Sequence, residues 1–415
     1  VLDVPREYVQ LGLRFDRLVE GFVDAYTGDP VLRARVAAEP APDPARLADR
    51  AHELRTELPS AGLAEERVAF LAGQLRGLEV SGRKLAGTEI GYVDEVAAYF
   101  QVRPSRGDPE RYADAHAALD RLLPGAGSLA ERYPAYRTAD EVPPERLRDC
   151  VLAISSALRD IVRREVGLPA RETVEYEVVT DKPWSGFNYY RGNYASLVAI
   201  NGDLPNRLSG LPALVAHETY PGHHTEHCRK DQRLVATGGR LEHTIFLVNT
   251  PECLMAEGLA DLGVPAALGP GWGRWAQEIY ADLGLSFDGE LAEAVAEAVL
   301  PLDGVRQDAA LMLHDYGWGE DEVVTYLQRW ALVPADRARQ SLRFLTDPLW
   351  RAYITTYVEG RRLLGTWLEA RPTGQPLVER YTRLLDEPLT PARIRAEVES
   401  AAEIAAAAAF LDGEV

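Results

Sequence analysis

Residues 217–224 read HETYPGHH. The opening matches H-E-x-x-H, in which two imidazoles one helical turn apart hold zinc and the glutamate between them stays free as a base. Here Pro221 stands where the second histidine belongs, and histidines follow at 223 and 224. The preceding LPALVA is an apolar helical run, so His217 and Glu218 fall at its buried end. Unpaired buried charge is costly, and a metal ion is one way to compensate it. Proline offers no N–H to the His217 carbonyl and disfavours helix at Tyr220, while Gly222 accepts dihedrals that other residues avoid. In an unbroken helix His217 and His224 would stand about 10.5 Å apart along the axis, too far for one ion. The Pro-Gly pair therefore predicts a break that swings His223 or His224 back toward His217, and the spacing leaves both open.

Two other readings compete. His223, Glu226 and His227 spell H-x-x-E-H, the inverted zinc pattern, with sound helical spacing. It leaves His217 and Glu218 without a role and puts the site in the polar stretch TEHCRKDQ, expected to be the more exposed. The other reading is a helix end with satisfied histidines and no metal. A catalytic zinc also needs a third protein ligand and an open position. The stretch TPECLMAEGLADLG (250–263) offers Glu252, Glu257 and Asp261. Glu257 sits among Met255, Ala256, Leu259 and Leu262, a carboxylate on a largely apolar helix; a salt bridge to an arginine is its plain alternative. Glu252 lies near a helix start, where the dipole alone favours a carboxylate.

The surrounding chain bounds the chemistry. It has 415 residues and a formal net charge of −19, which repels phosphate backbones and anionic bilayers, so neither nucleic acid nor membrane is an expected partner. No apolar run approaches the roughly 18–20 residues of a membrane span, and VLDVPREYVQLGLRFDRLVEGF at the start lacks the apolar core of a signal peptide. Three scattered cysteines suit a reducing cytoplasm.

Most of the chain reads as helix. Leu11, Phe15, Leu18, Val19 and Phe22 form one stripe, which TGDP is expected to end. AAEPAPDPARLADR is a polar connector, and Ala113, Ala117, Leu119, Leu122 and Leu123 make a further stripe closed by PGAG. Val174, Tyr176 and Val178 alternate with Glu175 and Glu177, the mark of a strand with one wet face. NYASLVAIN (193–201) is its expected partner, and KPWSGFNYYRG joins them with aromatics on a turn-rich segment. Helical patterning resumes near Leu211 and runs to the end. The expected fold is mainly α: one bilobed body over 1–415, with a helical part (1–167), a part carrying the site (168–415) and a small antiparallel β-hairpin beside it.

HETYPGHH followed by an E-G-x-A segment resembles the bacterial family known as domain of unknown function 885, whose fold is similar to the helical, cleft-forming metallocarboxypeptidases of the carboxypeptidase Taq type. FNYYRGNYASLVAIN, ending at Asn201, resembles that family's aromatic and glycine segment. EGLADL keeps Glu257 and Gly258 but has Leu259 and Asp261 where the family has tryptophan and leucine. GVRQDAALMLHDYGW matches at Arg306 and His314, with Ala310 and Met312 in place of aspartate and glycine. AYITTYVEGRRLLG retains Tyr357 and Gly360, with Tyr353 at the glutamine position. The likeness covers the last two-thirds of the chain in patches.

The combined reading is a zinc-dependent hydrolase of amide or peptide bonds, metallocarboxypeptidase-like, acting on a peptide or small molecule. His217, His223 and Glu257 hold the ion, with His224 as alternate ligand or hydrogen-bonding support. Glu218 takes a proton from the metal-bound water. Tyr357 is the first candidate to donate to the oxyanion, followed by Tyr353 and His314. Arg306 and Arg361 are candidates to grip a substrate carboxylate. Tyr189, Tyr190 and Asn201 line a wall of the cleft. Alternatives are an inactive metal- or ligand-binding protein on the same scaffold, an amidase for a specialised small molecule, and a histidine-rich interaction domain.

Overall fold

Apolar periodicity becomes helix through most of the chain in the computed structural model, which describes residues 3–182 and 184–412, with side chains up to 404. Helix α1 (Val4–Asp16) starts at Asp3, whose carboxylate accepts from the Arg6 N–H, and it buries Tyr8, Leu11 and Phe15. It stops before the expected boundary. The Asp16 side chain accepts from Val23 N at 3.0 Å, and Gly21 takes a positive φ of 82°. Leu18, Val19 and Phe22 thus reach the same core from a turn, and strand β1 (Val23–Tyr26) follows. Asp29 of TGDP caps the next helix, Pro30–Ala37, so this punctuation begins a helix instead of ending one. In Pro109–Leu122 the buried face is Tyr112, Ala115 and Leu119, while Ala113 and Ala117 are exposed.

Helix α2 (Leu147–Glu165) leads into the one sheet of three strands, β2 (Thr173–Val179), β3 (Gly186–Tyr190) and β4 (Ala195–Asn201), ordered β2-β4-β3. The alternating segment and NYASLVAIN do pair, but in parallel, with Val174 opposite Ser196. The antiparallel partner of β4 is β3, formed by the aromatic segment expected to be a turn. Parallel neighbours need a connection that returns the chain to its starting edge, and FNYY makes that return as a strand.

Helices α3 (Leu211–Glu218) and α4 (His223–Lys230) follow, then β5 (Ile245–Leu247), which pairs antiparallel with β1. The later part contributes α5 (Pro251–Asp261), α6 (Gly304–His314) and α7 (Ile354–Glu369). The main core draws on both sides of residue 167, from Val4, Tyr8 and Leu71 to Cys253, Met312 and Tyr353. A second core joins α2, β4 and α3, and a third joins α5, α7 and the chain beyond.

Two glycines set where α5 and α7 cross. A Cβ on Gly258 would lie 2.6 Å from the carbonyl carbon of Gly360, and one on Gly360 would lie 2.6 Å from Leu254 O. The helices therefore touch backbone to backbone, bringing Tyr353 and Tyr357 against Glu257 and Asp261. Gly258→Ala is expected to destabilise the protein by about 1–3 kcal/mol through overpacking. Gly365→Ala, with open space around it in the same helix, should be neutral or stabilising by up to about 1 kcal/mol. Denaturant unfolding of the two variants checks the contrast.

Candidate metal centre

Helix α3 ends at Glu218 and α4 begins at His223. Between them Gly222 donates its N–H to Ala216 O at 2.9 Å. A Cβ at Gly222 would sit 2.0 Å from His217 O and 2.5 Å from Ala216 O. Its dihedrals are φ −72° and ψ −137°, neither helical nor extended, and the close approach by itself already requires glycine. That approach folds α4 back over the end of α3. His223 Nε2 comes within 3.1 Å of His217 Nε2, and the rings are nearly perpendicular at 86°. Glu257 Oε2 lies 3.3 Å from His217 Nε2, and Glu257 Oε1 lies 3.8 Å from His223 Nε2.

These three residues offer one ligand atom each, all within 4.8 Å of one another. Two nitrogens on a tetrahedral zinc with Zn–N of 2.0–2.1 Å stand about 3.3 Å apart, close to the spacing seen. Glu257 Oε2 is also buried without a hydrogen-bond partner, an orphaned acceptor aimed at the same point. The donor set fits a zinc ion.

Neighbours hold two of the three in place. His217 Nδ1 pairs with Asp261 Oδ1 at 3.0 Å, which leaves Nε2 facing the centre, the arrangement that orients ligating imidazoles. Tyr353 donates its hydroxyl to Glu257 Oε1 at 2.8 Å. His223 Nδ1 lies 3.9 Å from Glu226 Oε2, beyond hydrogen-bond reach. Burial alone would lower the His217 pKa, but the hydrogen bond to Asp261 and the Glu257 carboxylate beside it outweigh that and raise the value well above normal. Burial would raise Glu257, yet His217 and His223 hold it below its usual range. The carboxylates thus draw positive charge into the cluster, a demand that a dication meets equally well.

Glu218 is buried beside this set and outside it. Burial raises its pKa, opposed by His217 and His223. Strand β3 passes directly over it. Asn188 Nδ2 donates to the Glu218 carbonyl at 2.6 Å, and a Cβ on Gly186 would lie 3.1 Å from Glu218 Oε1. Tyr357 is half-buried, its ring 5.8 Å from that of Tyr353. Burial, then the charges of Glu257, Asp261 and Glu218, push its phenol well up. Arg361 Nη1 lies 3.4 Å from Asp261 O. Arg306 is exposed and shares with Arg361 the charge of Asp303.

His224 turns the opposite way. It is fully buried, with Nε2 3.1 Å from Glu172 Oε2 and Nδ1 2.8 Å from Ser196 Oγ. Glu172 also accepts from Tyr220, Arg159 and Arg163 at 2.8, 2.6 and 2.8 Å. His223, not His224, therefore joins His217. The inverted H-x-x-E-H set does not assemble: Glu226 pairs with Lys230 at 2.6 Å, and His227 stacks on Tyr190 at 4.8 Å. Nor is that stretch exposed. His224, Thr225, Glu226, Cys228 and Arg229 are buried because α4 packs against β3, β4 and α5.

Four other expected residues fall elsewhere. His314 ends α6 in a separate part of the core, its Nε2 2.6 Å from Leu345 O and its ring stacked on Tyr92. The hydroxyl of Tyr190 is taken by Asp231 at 2.6 Å. Asn201 is buried and holds the Lys182 and Trp184 carbonyls at 2.8 and 2.9 Å. Tyr189, 40% exposed, stands on the outer face of the sheet because β3 alternates its side chains. One residue escaped the sequence reading altogether: Asp24 on β1, close enough to His223, Glu257 and Glu218 to feel their charge. It lies some two hundred residues from them, and no local pattern marks it.

No family model matches the chain, and no curated protein matches it. Solved structures that share its fold include two described as lipoproteins. One is described as a "putative lipoprotein" from Colwellia psychrerythraea, 16% identical with a TM-score of 0.54, matching 85% of this chain and 66% of that one. The other, from Shewanella oneidensis, is described as a "putative lipoprotein of unknown function", 15% identical with a TM-score of 0.53, matching 95% of this chain and 82% of that one. This chain thus spans just under two thirds of the first structure's length. At such identity the likeness is one of fold alone. Among the described residues no helix is long and apolar enough to cross a membrane.

Elemental analysis of protein purified without chelator is expected to find one zinc per chain. His217→Ala and Glu257→Ala should lose it, and His224→Ala should keep it. Asp261→Asn should weaken zinc binding about 10–100-fold. Glu172 yields a pH prediction: its hydrogen bonds overcome burial and bring its pKa from 4.5 to about 2. A carboxylate lowered on folding contributes stability above its unfolded value and loses it as pH falls through the folded one. Glu172→Gln should therefore cost on the order of 3 kcal/mol at neutral pH and flatten the stability loss between about pH 4.5 and 2, read by urea unfolding.

Proposed function

We propose that the protein is a zinc-dependent hydrolase of peptide or amide bonds, of the kind its resemblance to the domain of unknown function 885 family implies. The observation that carries this reading is the convergence of His217, His223 and Glu257 with Glu218 beside them but uncommitted to the set. A structural zinc site needs no such base. Zinc held there would supply a Lewis acid for the scissile carbonyl and lower the pKa of water.

The remaining chemistry belongs to the chain. Glu218 accepts the proton of the attacking water and passes it to the leaving amine; its raised pKa suits both tasks. Tyr357 is the phenol available to donate to the oxyanion, since Tyr353 is engaged with Glu257. Arg306 and Arg361, whose charges both reach Asp303, are the candidates to receive a substrate carboxylate. The edge of β3 favours a peptide over a small amide. Asn201 N bonds to Ser185 O and Arg191 N to Ala195 O, so by antiparallel alternation the N–H and C=O groups of Gly186 and Asn188 point away from β4. Among the described residues they have no main-chain partner, and they lie over Glu218. A peptide laid along this edge gains main-chain hydrogen bonds.

The proposed compartment is the cytoplasm, supported by three buried, unbridged cysteines. The lipoprotein descriptions of the two similar structures favour the cell envelope instead, and fractionation of native cells decides between them. Activity is best sought with peptide pools read by mass spectrometry. Glu218→Gln should lower turnover about 10²–10⁴-fold with zinc retained. Loss of the ion in that variant would make Glu218 a ligand and overturn the assignment.

A further inference from the structure

Two imidazoles face the centre, and only one of them has a partner on its outer nitrogen. His217 Nδ1 pairs with Asp261 Oδ1 at 3.0 Å. Among the described residues His223 Nδ1 has no hydrogen-bond partner, and the carboxylate beside it is Glu226, whose Oε2 lies 3.9 Å away. Glu226 is 1% exposed, and that same Oε2 is a buried acceptor with nothing bonded to it. Leaving a buried carboxylate oxygen unpaired is costly, and the mechanism above makes no use of Glu226.

Helix α4 sets up this arrangement. His223, Glu226 and Lys230 stand at i, i+3 and i+7 along it, on one face. Lys230 Nζ lies 2.6 Å from Glu226 Oε1 and 3.5 Å from Glu252 Oε1, and Gln74 Nε2 donates to Glu252 Oε2 at 3.1 Å. Oε1 of Glu226 is therefore pinned, which leaves Oε2 as the free oxygen on the His223 side. Glu252 lies in the first turn of α5, and Asp261 ends that helix. One helix thus stands behind both imidazoles. It reaches His217 directly through Asp261, and it reaches the neighbourhood of His223 through Lys230 and Glu226.

We infer that Glu226 is a positioning residue of the metal centre, accepting the Nδ1–H of His223 when Nε2 of that ring binds the ion. The inference rests on the zinc reading and supplies the outer partner that the second imidazole lacks. In the structure the two Nε2 atoms stand 3.1 Å apart, a hydrogen bond in which one of them carries a proton. A neutral imidazole that gives its Nε2 lone pair to a metal carries its proton at Nδ1 instead. That N–H needs an acceptor, and Glu226 Oε2 needs a donor. Closing the 3.9 Å gap to a normal hydrogen bond asks for a shift of about 1 Å. A carboxylate so placed fixes the tautomer and orientation of a ligating ring and makes it a stronger donor to the metal.

The test reads zinc binding and ring protonation, not turnover. Competition against a chromogenic chelator gives the zinc affinity of wild-type protein and of Glu226→Gln, and urea unfolding of the metal-free proteins establishes that both are folded. Glu226→Gln is expected to weaken zinc binding about 10–100-fold. Its effect should add to that of Asp261→Asn, since each acts on a different imidazole. In zinc-loaded wild-type protein with isotope-labelled histidine, NMR should show two zinc-bound rings protonated at Nδ1, both slow to exchange with water. Glu226→Gln should shift one of these Nδ1–H signals and Asp261→Asn the other, whereas a merely structural Glu226 would leave both in place. Unchanged zinc affinity in Glu226→Gln, a single Nδ1–H signal in the wild type, or ligation of His223 through Nδ1 overturns the inference while leaving the zinc site standing. If Glu226→Gln does not fold, the wild-type spectrum decides alone. Wild-type protein that takes up no zinc overturns the metal reading itself, and the role of Glu226 with it.

Discussion

The site depends on one close approach between main-chain atoms. Gly222 sits against the His217 and Ala216 carbonyls at distances that no side chain tolerates. It ends α3 and starts α4 within four residues, turned back on itself. Without that contact the second imidazole would stand a full turn or more along a straight axis. With it, two Nε2 atoms meet at 3.1 Å. A larger residue at 222 would move α4, and with it every partner of His223 and His224.

A second glycine contact supports the first. Gly258 against Gly360 lets α5 and α7 meet backbone to backbone, placing Glu257 within reach of both imidazoles and Tyr353 within reach of Glu257. The two contacts position helices from distant parts of the chain around a cluster of carboxylates. Buried together, those groups require a cation. They raise the pKa of His217, and a divalent ion held there would meet the same need. Electrostatic demand and geometry agree on the same three residues.

His224 shows how adjacent, chemically identical residues are separated by packing. One position beyond His223, it points about a quarter turn away, toward β4 and Glu172. There a carboxylate already bound by Tyr220 and two arginines takes its Nε2–H. Burial lowers the His224 pKa, and Glu172 opposes the shift. One imidazole is a candidate ligand, and its neighbour locks α4 to the sheet.

Much was legible in residue order. The apolar stripes announce helices, the Pro-Gly break announces the reversal, and Glu257 on an apolar helix announces the third donor. The misreadings share a cause. The α1 stripe continues past Asp16 because residues in a turn bury the same core as residues in a helix. FNYY reads as a loop because a strand of mixed polarity becomes plain only against its partner β4. His314, Tyr190 and Asn201 have the right chemistry, but burial against Tyr92, Asp231 and the Lys182 and Trp184 carbonyls commits them elsewhere. By itself the sequence determined the mainly helical fold and which residue types meet at the break, since periodicity and backbone chemistry act locally. Tertiary structure alone decided between His223 and His224 and set Asp261 behind His217, because those choices depend on contacts between segments some forty to fifty residues apart.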